Sequence, residues 1–313
     1  SREDDMSNDF YRPAALVRMQ AGVSKQGLIE TWAVRRVGPN IMGHMVDAWL
    51  EVLAPDYLNK GFTDWLSKLG HPLFNRFVAD ASNGDGIYGD YDTPNKAVRH
   101  VTQDPGLRTG FWRSVGHSSN AFFKESFIDE LAQRAGIDEL QFRLANMKNN
   151  PRLTEATELV AAKAGWGKPL PEGHFHGLAT HSSFGSAVAQ IAEVSIKGTQ
   201  IIVHKVTAAI HCGMVVNPEI VRDQVEGGIM YGLTAALYGE ITLVDGVVQQ
   251  SNFHNYPMLR MADAPEVEVH IVESQEHPEG VGEPGLPPLA PAVANAVFKA
   301  SGQRLRDLPL RLG

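Results

Sequence analysis

Three consecutive runs, FHGLATHSSF (175–184), AVAQIAEVSI (187–196) and TQIIVHKVTAAI (199–210), constrain the fold of this chain most. Each is rich in apolar and β-branched residues and predicts a strand. Lys197-Gly198 predicts a tight turn between the last two, a connection that only antiparallel strands accept. GLIETWAVRRVG (27–38) and EVEVHIVES (266–274) predict further strands, and EITLVDGVVQQS predicts a hairpin on Asp245-Gly246.

Between these runs the period changes. SSNAFFKESFIDELAQRAG (118–136) predicts a helix capped by Ser118 or Ser119, with Phe122, Phe123, Phe127, Ile128 and Leu131 on one face and Gly136 as its stop. IDELQFRLANM (137–147) and TEATELVAAKAGWG (154–167) predict two more, the second capped by Thr154 and closed by Gly165. A helix over 217–239 opens on Asn217 and Pro218, and an alanine-rich one covers 290–302. The sum is an α+β fold with mixed or antiparallel sheets and packed helices. Residues 38–110 show no regular period. Their turn-rich stretch ASNGDGIYGDYDTPN (81–95) reads as a long connection covered by a partner.

Composition removes several function classes. The net charge is -8 and the Lys and Arg residues are scattered, which argues against nucleic acid. No apolar run is long enough to span a membrane. The single cysteine, Cys212, excludes an intrachain disulfide, a zinc ribbon and a Cys-ligated iron–sulfur cluster. His211-Cys212 admits a metal reading beside that of a small buried thiol at a strand end. Neither GxGxxG after a strand nor GxxxxGK[ST] occurs, so Rossmann and P-loop readings have no support.

Three segments combine glycine with unusual polar residues. GFWRSVGHSSN (110–120) runs into a helix N-terminus that can hold an anion, and Arg113 can add a bidentate contact; an ordinary turn with a solvated Arg113 is the other reading. In CGMVVNPEIVRDQVEGGIMYG (212–232), Gln224 lies seven residues after Asn217, so both can face one way. The Gly227-Gly228 pair costs roughly 1 kcal/mol of helix stability per glycine unless something approaches closely, either a ligand or a packed element. In GVGEPGLPPLAP (280–291), Gly280, Gly282 and Gly285 free the backbone while Pro284, Pro287 and Pro288 restrict it around Glu283. Glu283 is a solvated loop acid or a positioned catalytic group, and the residues alone leave both open.

At these segments the chain resembles the molybdenum hydroxylases, the xanthine oxidase and aldehyde oxidoreductase family, and within it the large, molybdopterin-binding subunit of isoquinoline 1-oxidoreductase-type enzymes. The resemblance runs from REDDMSNDFYRPA through FGSAVAQIAEVS and SNFHNYPMLRM to GVGEPGLPPLAPAVANAVFKASGQRLRDLP. It implies the molybdopterin-binding fold of that family, with 1–170 a first segment that includes the helical patch and 171–313 a second that carries the catalytic Glu. Glu283 matches the family's catalytic base. Arg113 and Gly116 match the arginine and second glycine of a loop beside the molybdenum centre, and Ser114 and Gly282 fall with them in the cofactor-binding set. Gln224 matches a glutamine that contacts the cofactor. Val115 stands where many relatives have a phenylalanine that sandwiches an aromatic substrate; with His117 and Arg12, which matches a substrate-side arginine by spacing, it is expected in the substrate pocket.

The implied cofactor is a molybdenum ion on molybdopterin cytosine dinucleotide, with no protein metal ligand. The implied reaction is oxidation of an N-heteroaromatic compound or aldehyde with water as oxygen source, Glu283 taking a proton. The family's Gly-Gln-Gly pterin loop has no counterpart here, so the chain is expected to be the C-terminal half of the subunit. Expected partners are the other half, a small subunit with [2Fe-2S] clusters, an electron acceptor such as a cytochrome c and a small-molecule substrate, in the periplasm by resemblance or in the cytoplasm if no partner chain carries a signal. The alternative is a non-catalytic half-subunit that completes a partner's cofactor pocket.

Overall fold

A computed structural model describes residues 1–42, 45, 59, 61, 65, 80–103 and 106–313. Among these, the predicted strands at 175–210 form β4 (Phe175–Ser183), β5 (Ser186–Lys197) and β6 (Gln200–His211). They pair antiparallel, with Lys197 opposite Gln200, and β9 (Glu266–Ile271) adds parallel to β6. Both faces of this sheet are covered, so β5 and β6 read as largely apolar runs. Val188, Ala192, Val206 and Ile210 meet α5 (Pro218–Leu237) and α6 (Leu289–Ser301) on one side. Ala189, Ile191 and Ala209 meet α4 (Pro151–Ala164) on the other.

A second sheet joins β1 (Leu16–Val23), β2 (Ile29–Gly38) and β3 (Asn95–Thr102), with β1–β2 antiparallel and β2–β3 parallel. Its buried Ile29, Trp32 and Val34 pack on Ile128 and Leu131 of α2 (Val115–Ala135) and on Phe142 of α3 (Glu139–Ala145). A short helix α1 (Arg2–Asn8) and the hairpin β7 (Leu243–Val244) with β8 (Val247–Val248), turning on Asp245-Gly246, complete the described elements named here. The α+β class with mixed sheets is as expected.

Several local expectations fail for physical reasons. Residues 38–110 contain β3, whose every second residue is exposed and so carries no continuous apolar signal. The stretch 81–95 is covered by this chain itself: Asn83, Ile87 and Tyr91 are buried, with Ile87 and Tyr91 in the core of β2 and α2. Helix α2 starts at Val115, so Ser118 and Ser119 lie inside it and bond back to the carbonyls of Val115 and Gly116 instead of capping. Its N-cap is Ser114, held at φ 71°. Helix α4 is capped by Asn150, not Thr154, because Pro151 can occupy the first helical position. The stops at Gly136 and Gly165 hold, both left-handed. Cys212 is buried directly after β6, as its thiol reading expects.

Candidate active site

The loop that carries Glu283 is fastened from beneath by β5. Ser186 Oγ donates to the Gly280 carbonyl at 2.6 Å, and buried Gln190 Nε2 donates to the Gly285 carbonyl at 2.6 Å. Gly285 then lies against α5: a Cβ there would sit 2.8 Å from Val225 Cα, and one at Gly228 would sit 3.2 Å from Leu286 N. The close approach suggested by Gly227-Gly228 is therefore, at Gly228, the loop backbone itself. Leu286 N–H donates to the Glu283 carbonyl at 3.1 Å and closes a turn at the acid.

The N-terminus of α2 meets that turn. Ser114 N–H donates to Glu283 Oε1 at 2.7 Å, and Ser114 Oγ donates to the Glu283 carbonyl at 2.8 Å. The left-handed backbone of Ser114 and Val115 turns these donors toward the loop. One carboxylate oxygen is thus fixed at a helix N-terminus, where negative charge is favoured. Among the described residues, Oε2 has no hydrogen-bond partner. Glu283 is half-buried, with one carboxylate oxygen held by the protein.

Arg113 completes the junction. Its Nε donates to the Gly282 carbonyl at 2.9 Å, and its Nη2 reaches the Gln224 carbonyl at 3.2 Å and Gln224 Oε1 at 3.3 Å. All these acceptors are neutral, so the guanidinium charge is left for an anion. Five expected residues are therefore brought together: Arg113, Ser114, Gln224, Gly282 and Glu283. Asn217, by contrast, is used as the N-cap of α5, accepting from Glu219 N and Ile220 N.

The remaining expected residues flank the junction. A Cβ on Gly116 would fall 1.8 Å from the Ser82 carbonyl oxygen, so this glycine lets α2 pack on the 81–84 turn. Arg12 lies 4.0 Å above the ring of Trp112, which packs tilted against Tyr231 with ring centroids 4.8 Å apart. Burial pulls the Arg12 guanidinium down to about 10, still cationic at neutral pH. It lines a small cavity with Trp112, Leu286 and Pro287, behind the Glu283 turn. Val115 is half-buried in the first turn of α2. His117 Nδ1 lies 2.9 Å from His181 Nε2, and burial, with Lys124 nearby, pushes the His117 imidazole down to about 4.

Sequence reading missed Ser186, Gln190 and the buried pair His181 and Lys124. A glutamine within the apolar run AVAQIAEVSI was the one visible signal, since buried polar groups need a stated partner. The sequence carries no mark of which loop that partner is on.

The junction also fits an anionic pterin. Gly227 and Gly282 are exposed, and their ideal Cβ atoms meet only the ends of Arg113 and Gln224, at 3.9 and 3.8 Å. Neither glycine is required by φ or by packing, so together they keep a side-chain-free surface beside Arg113, Gln224 and Glu283. No group of three or more His, Cys, Asp or Glu among the described residues could itself hold a metal ion.

Comparison with known proteins gives the family. Residues 123–265 match the model of the molybdopterin cofactor-binding domain. The chain is 33% identical, over 99% of its length and 38% of the relative's, to isoquinoline 1-oxidoreductase subunit beta of Brevundimonas diminuta. It is 29% identical, over 99% of its length and 41% of the relative's, to a membrane-bound aldehyde dehydrogenase [pyrroloquinoline-quinone] of Gluconacetobacter polyoxogenes. The chain thus spans about two fifths of the length of these relatives. In fold it is similar to quinoline 2-oxidoreductase from Pseudomonas putida 86, with a TM-score of 0.76, 12% identity, and coverage of 96% of this chain and 61% of that one. A molybdopterin-binding domain, extended similarity to an isoquinoline 1-oxidoreductase subunit and the fold of a quinoline oxidoreductase place this chain in the molybdenum hydroxylase family.

Proposed function

We propose that this chain forms part of the molybdenum-cofactor-binding subunit of a hydroxylase, with Glu283 as its general base. The overall reaction converts a substrate C–H and water to C–OH, two protons and two electrons. One observation carries the reading: the Glu283 carboxylate has one oxygen fixed by the Ser114 N–H, while the other has no partner among the described residues. Held so, Oε2 accepts a proton from the water-derived hydroxyl that adds to the substrate carbon. The cofactor, when bound, supplies the two-electron acceptor. Arg113 and the Gln224 amide, on the surface kept open by Gly227 and Gly282, hold its anionic part. The cytosine dinucleotide form of the pterin belongs to this proposal.

The substrate class is an N-heteroaromatic compound or an aldehyde, as the names of the relatives suggest for each. Val115, in the first turn of α2 next to the Ser114 that holds Glu283, is the residue we expect to set ring size in the substrate pocket. Electrons leave through [2Fe-2S] clusters on another subunit, since the only thiol here is Cys212. Met214 and Val216, just before α5, and Ile220 in its first turn are exposed, with Val216 93% exposed, and we assign them to contact with the rest of the molybdopterin-binding subunit.

The test is a turnover assay of the assembled enzyme on a panel of N-heteroaromatics and aldehydes in isotopic water. The reading expects oxygen from water in the product and molybdenum bound in proportion to protein. Molybdenum-replete enzyme without turnover on either class would favour the scaffold alternative and overturn the proposal.

A further inference from the structure

Behind the site runs a buried chain of polar side chains that the base does not use. Asp90 and Lys124 form an ion pair with 6% and 1% of their side chains exposed. Lys124 Nζ lies 2.9 Å from His181 Nδ1, and fully buried His181 Nε2 lies 2.9 Å from His117 Nδ1. His117 stands in the first turn of α2, three residues after the Ser114 that holds Glu283. Its ring packs on Phe184 at 5.3 Å, and an ideal Cβ on Gly280, in the Glu283 loop, sits 3.1 Å from Phe184 Cβ.

Only one proton arrangement satisfies this chain. An ammonium beside a carboxylate has N–H bonds to donate and no lone pair to offer. His181 Nδ1 must therefore accept from Lys124. The neutral ring then carries its proton on Nε2 and donates it to His117 Nδ1. His117, accepting at Nδ1, carries its own proton on Nε2. The reverse arrangement would strip both nitrogens of His181, and a cationic His181 would point an N–H at the ammonium. Among the described residues His117 Nε2 has no partner.

We propose that Lys124 and His181 act as positioning residues that lock His117 as a fixed N–H donor, presented to a hydrogen-bond acceptor of the bound substrate, a ring nitrogen or a carbonyl oxygen. The substrate part rests on the hydroxylase reading above. In this proposal the substrate meets an acceptor at Glu283 Oε2 and a donor at His117 Nε2–H. Burial keeps both histidines neutral, with Lys124 disfavouring their charged forms and Asp90 opposing it at His117.

The experiment is histidine-selective 15N NMR of the assembled enzyme between pH 8 and 5, with the His117 signals identified by their loss in His117→Phe. A neutral Nε2–H tautomer that does not titrate across this range is expected. A Nδ1–H tautomer, or a midpoint near pH 6.5, overturns the lock on the unmodified protein alone. His181→Asn keeps an acceptor for Lys124 and a donor for His117, and should preserve the tautomer; His181→Leu should release it to a mixture that titrates higher. Kinetically, His117→Phe should raise KM for substrates with a ring nitrogen or carbonyl by roughly 3- to 10-fold, the loss of one neutral hydrogen bond, with a smaller change in kcat. An unchanged KM beside a confirmed tautomer would overturn the substrate role and leave the lock standing. Both spectra are read without turnover, so failure of the hydroxylase reading is seen separately.

Discussion

Glu283 and Ser114 illustrate what a single residue decides here. The carboxylate is aimed by one backbone N–H, so Glu283→Gln, which keeps size and polarity, leaves that hydrogen bond and removes only the proton acceptor. We expect kcat and kcat/KM to fall together by roughly 10² to 10⁴, with bound molybdenum unchanged. Full activity in molybdenum-replete Glu283→Gln enzyme would return Glu283 to the status of a loop acid. Gly116 makes the opposite point. By the family resemblance it is expected beside the cofactor, yet its nearest constraint is the Ser82 carbonyl. Gly116→Ala should lower the denaturant midpoint by an amount equivalent to about 1–3 kcal/mol, because two backbones must separate. An unaltered midpoint would show that the turn at 81–84 yields freely. Glu283 was legible in the sequence as an oddity, an acid among glycines and prolines. The donors that orient it were not, because Ser114 is 169 residues away along the chain.

Helix α5 shows how an element divides its glycines between packing and opening. Gly228 is needed where the Gly285–Leu286 backbone crosses, whereas Gly227 faces only the tip of Arg113 and open surface. Gly227→Ala should therefore strengthen the helix, raising stability by about 1 kcal/mol. It should also narrow the surface beside Gln224 and reduce bound molybdenum. Thermal unfolding and metal analysis of one preparation check both. Reduced stability would mean that Gly227 has a packing role, and undiminished molybdenum that the surface is not used. In the larger sheet β5 and β6 were legible because they are largely apolar and joined by a tight turn, and β9 because its Val residues alternate with charged ones. Strands β1 and β3 were not, since both alternate half-buried with exposed residues and owe their place to pairing with β2.

At the scale of the molecule, buried charges join its parts. Arg143 and Glu125 are fully buried and ion-paired at 2.9 Å, Tyr91 Oη donates to Glu125 at 2.7 Å, and Arg304 reaches Asp129 at 2.9 Å. These contacts tie α2, α3 and the chain after α6 into one body, and removing one partner of such a pair costs about 3–5 kcal/mol. The neutral histidines add a pH dependence. His117 is held down to about 4 and His181 well below its usual range, chiefly by burial. Between pH 6.5 and 4 the unfolded chain binds protons there that the folded chain refuses, so stability rises with pH across this window. It is complete above about 6.5 and lost as pH falls, by at most about 1.4 kcal/mol per pH unit for each histidine. Asp129 and Asp85, raised by burial, act in the opposite sense. The melting temperature of the assembled protein should fall from pH 7 to 5, and less steeply in His181→Asn. A flat profile would contradict neutral burial of the pair.

What the sequence determined by itself was the local code: helix stops at Gly136 and Gly165, the cap at Asn217, the hairpin on Asp245-Gly246 and the antiparallel run from β4 to β6. These follow from backbone sterics and from hydrogen bonds between near neighbours. The motif residues were also visible as types. Tertiary structure alone decided that Arg113 binds carbonyls rather than an acid, that Gln190 and Ser186 pin the Glu283 loop, and that His117 is joined through His181 to a buried lysine. Each of those facts joins residues from distant parts of the chain. A polar side chain records its own donors and acceptors in the sequence, but its partner is chosen by which backbone the packed core brings within 3 Å.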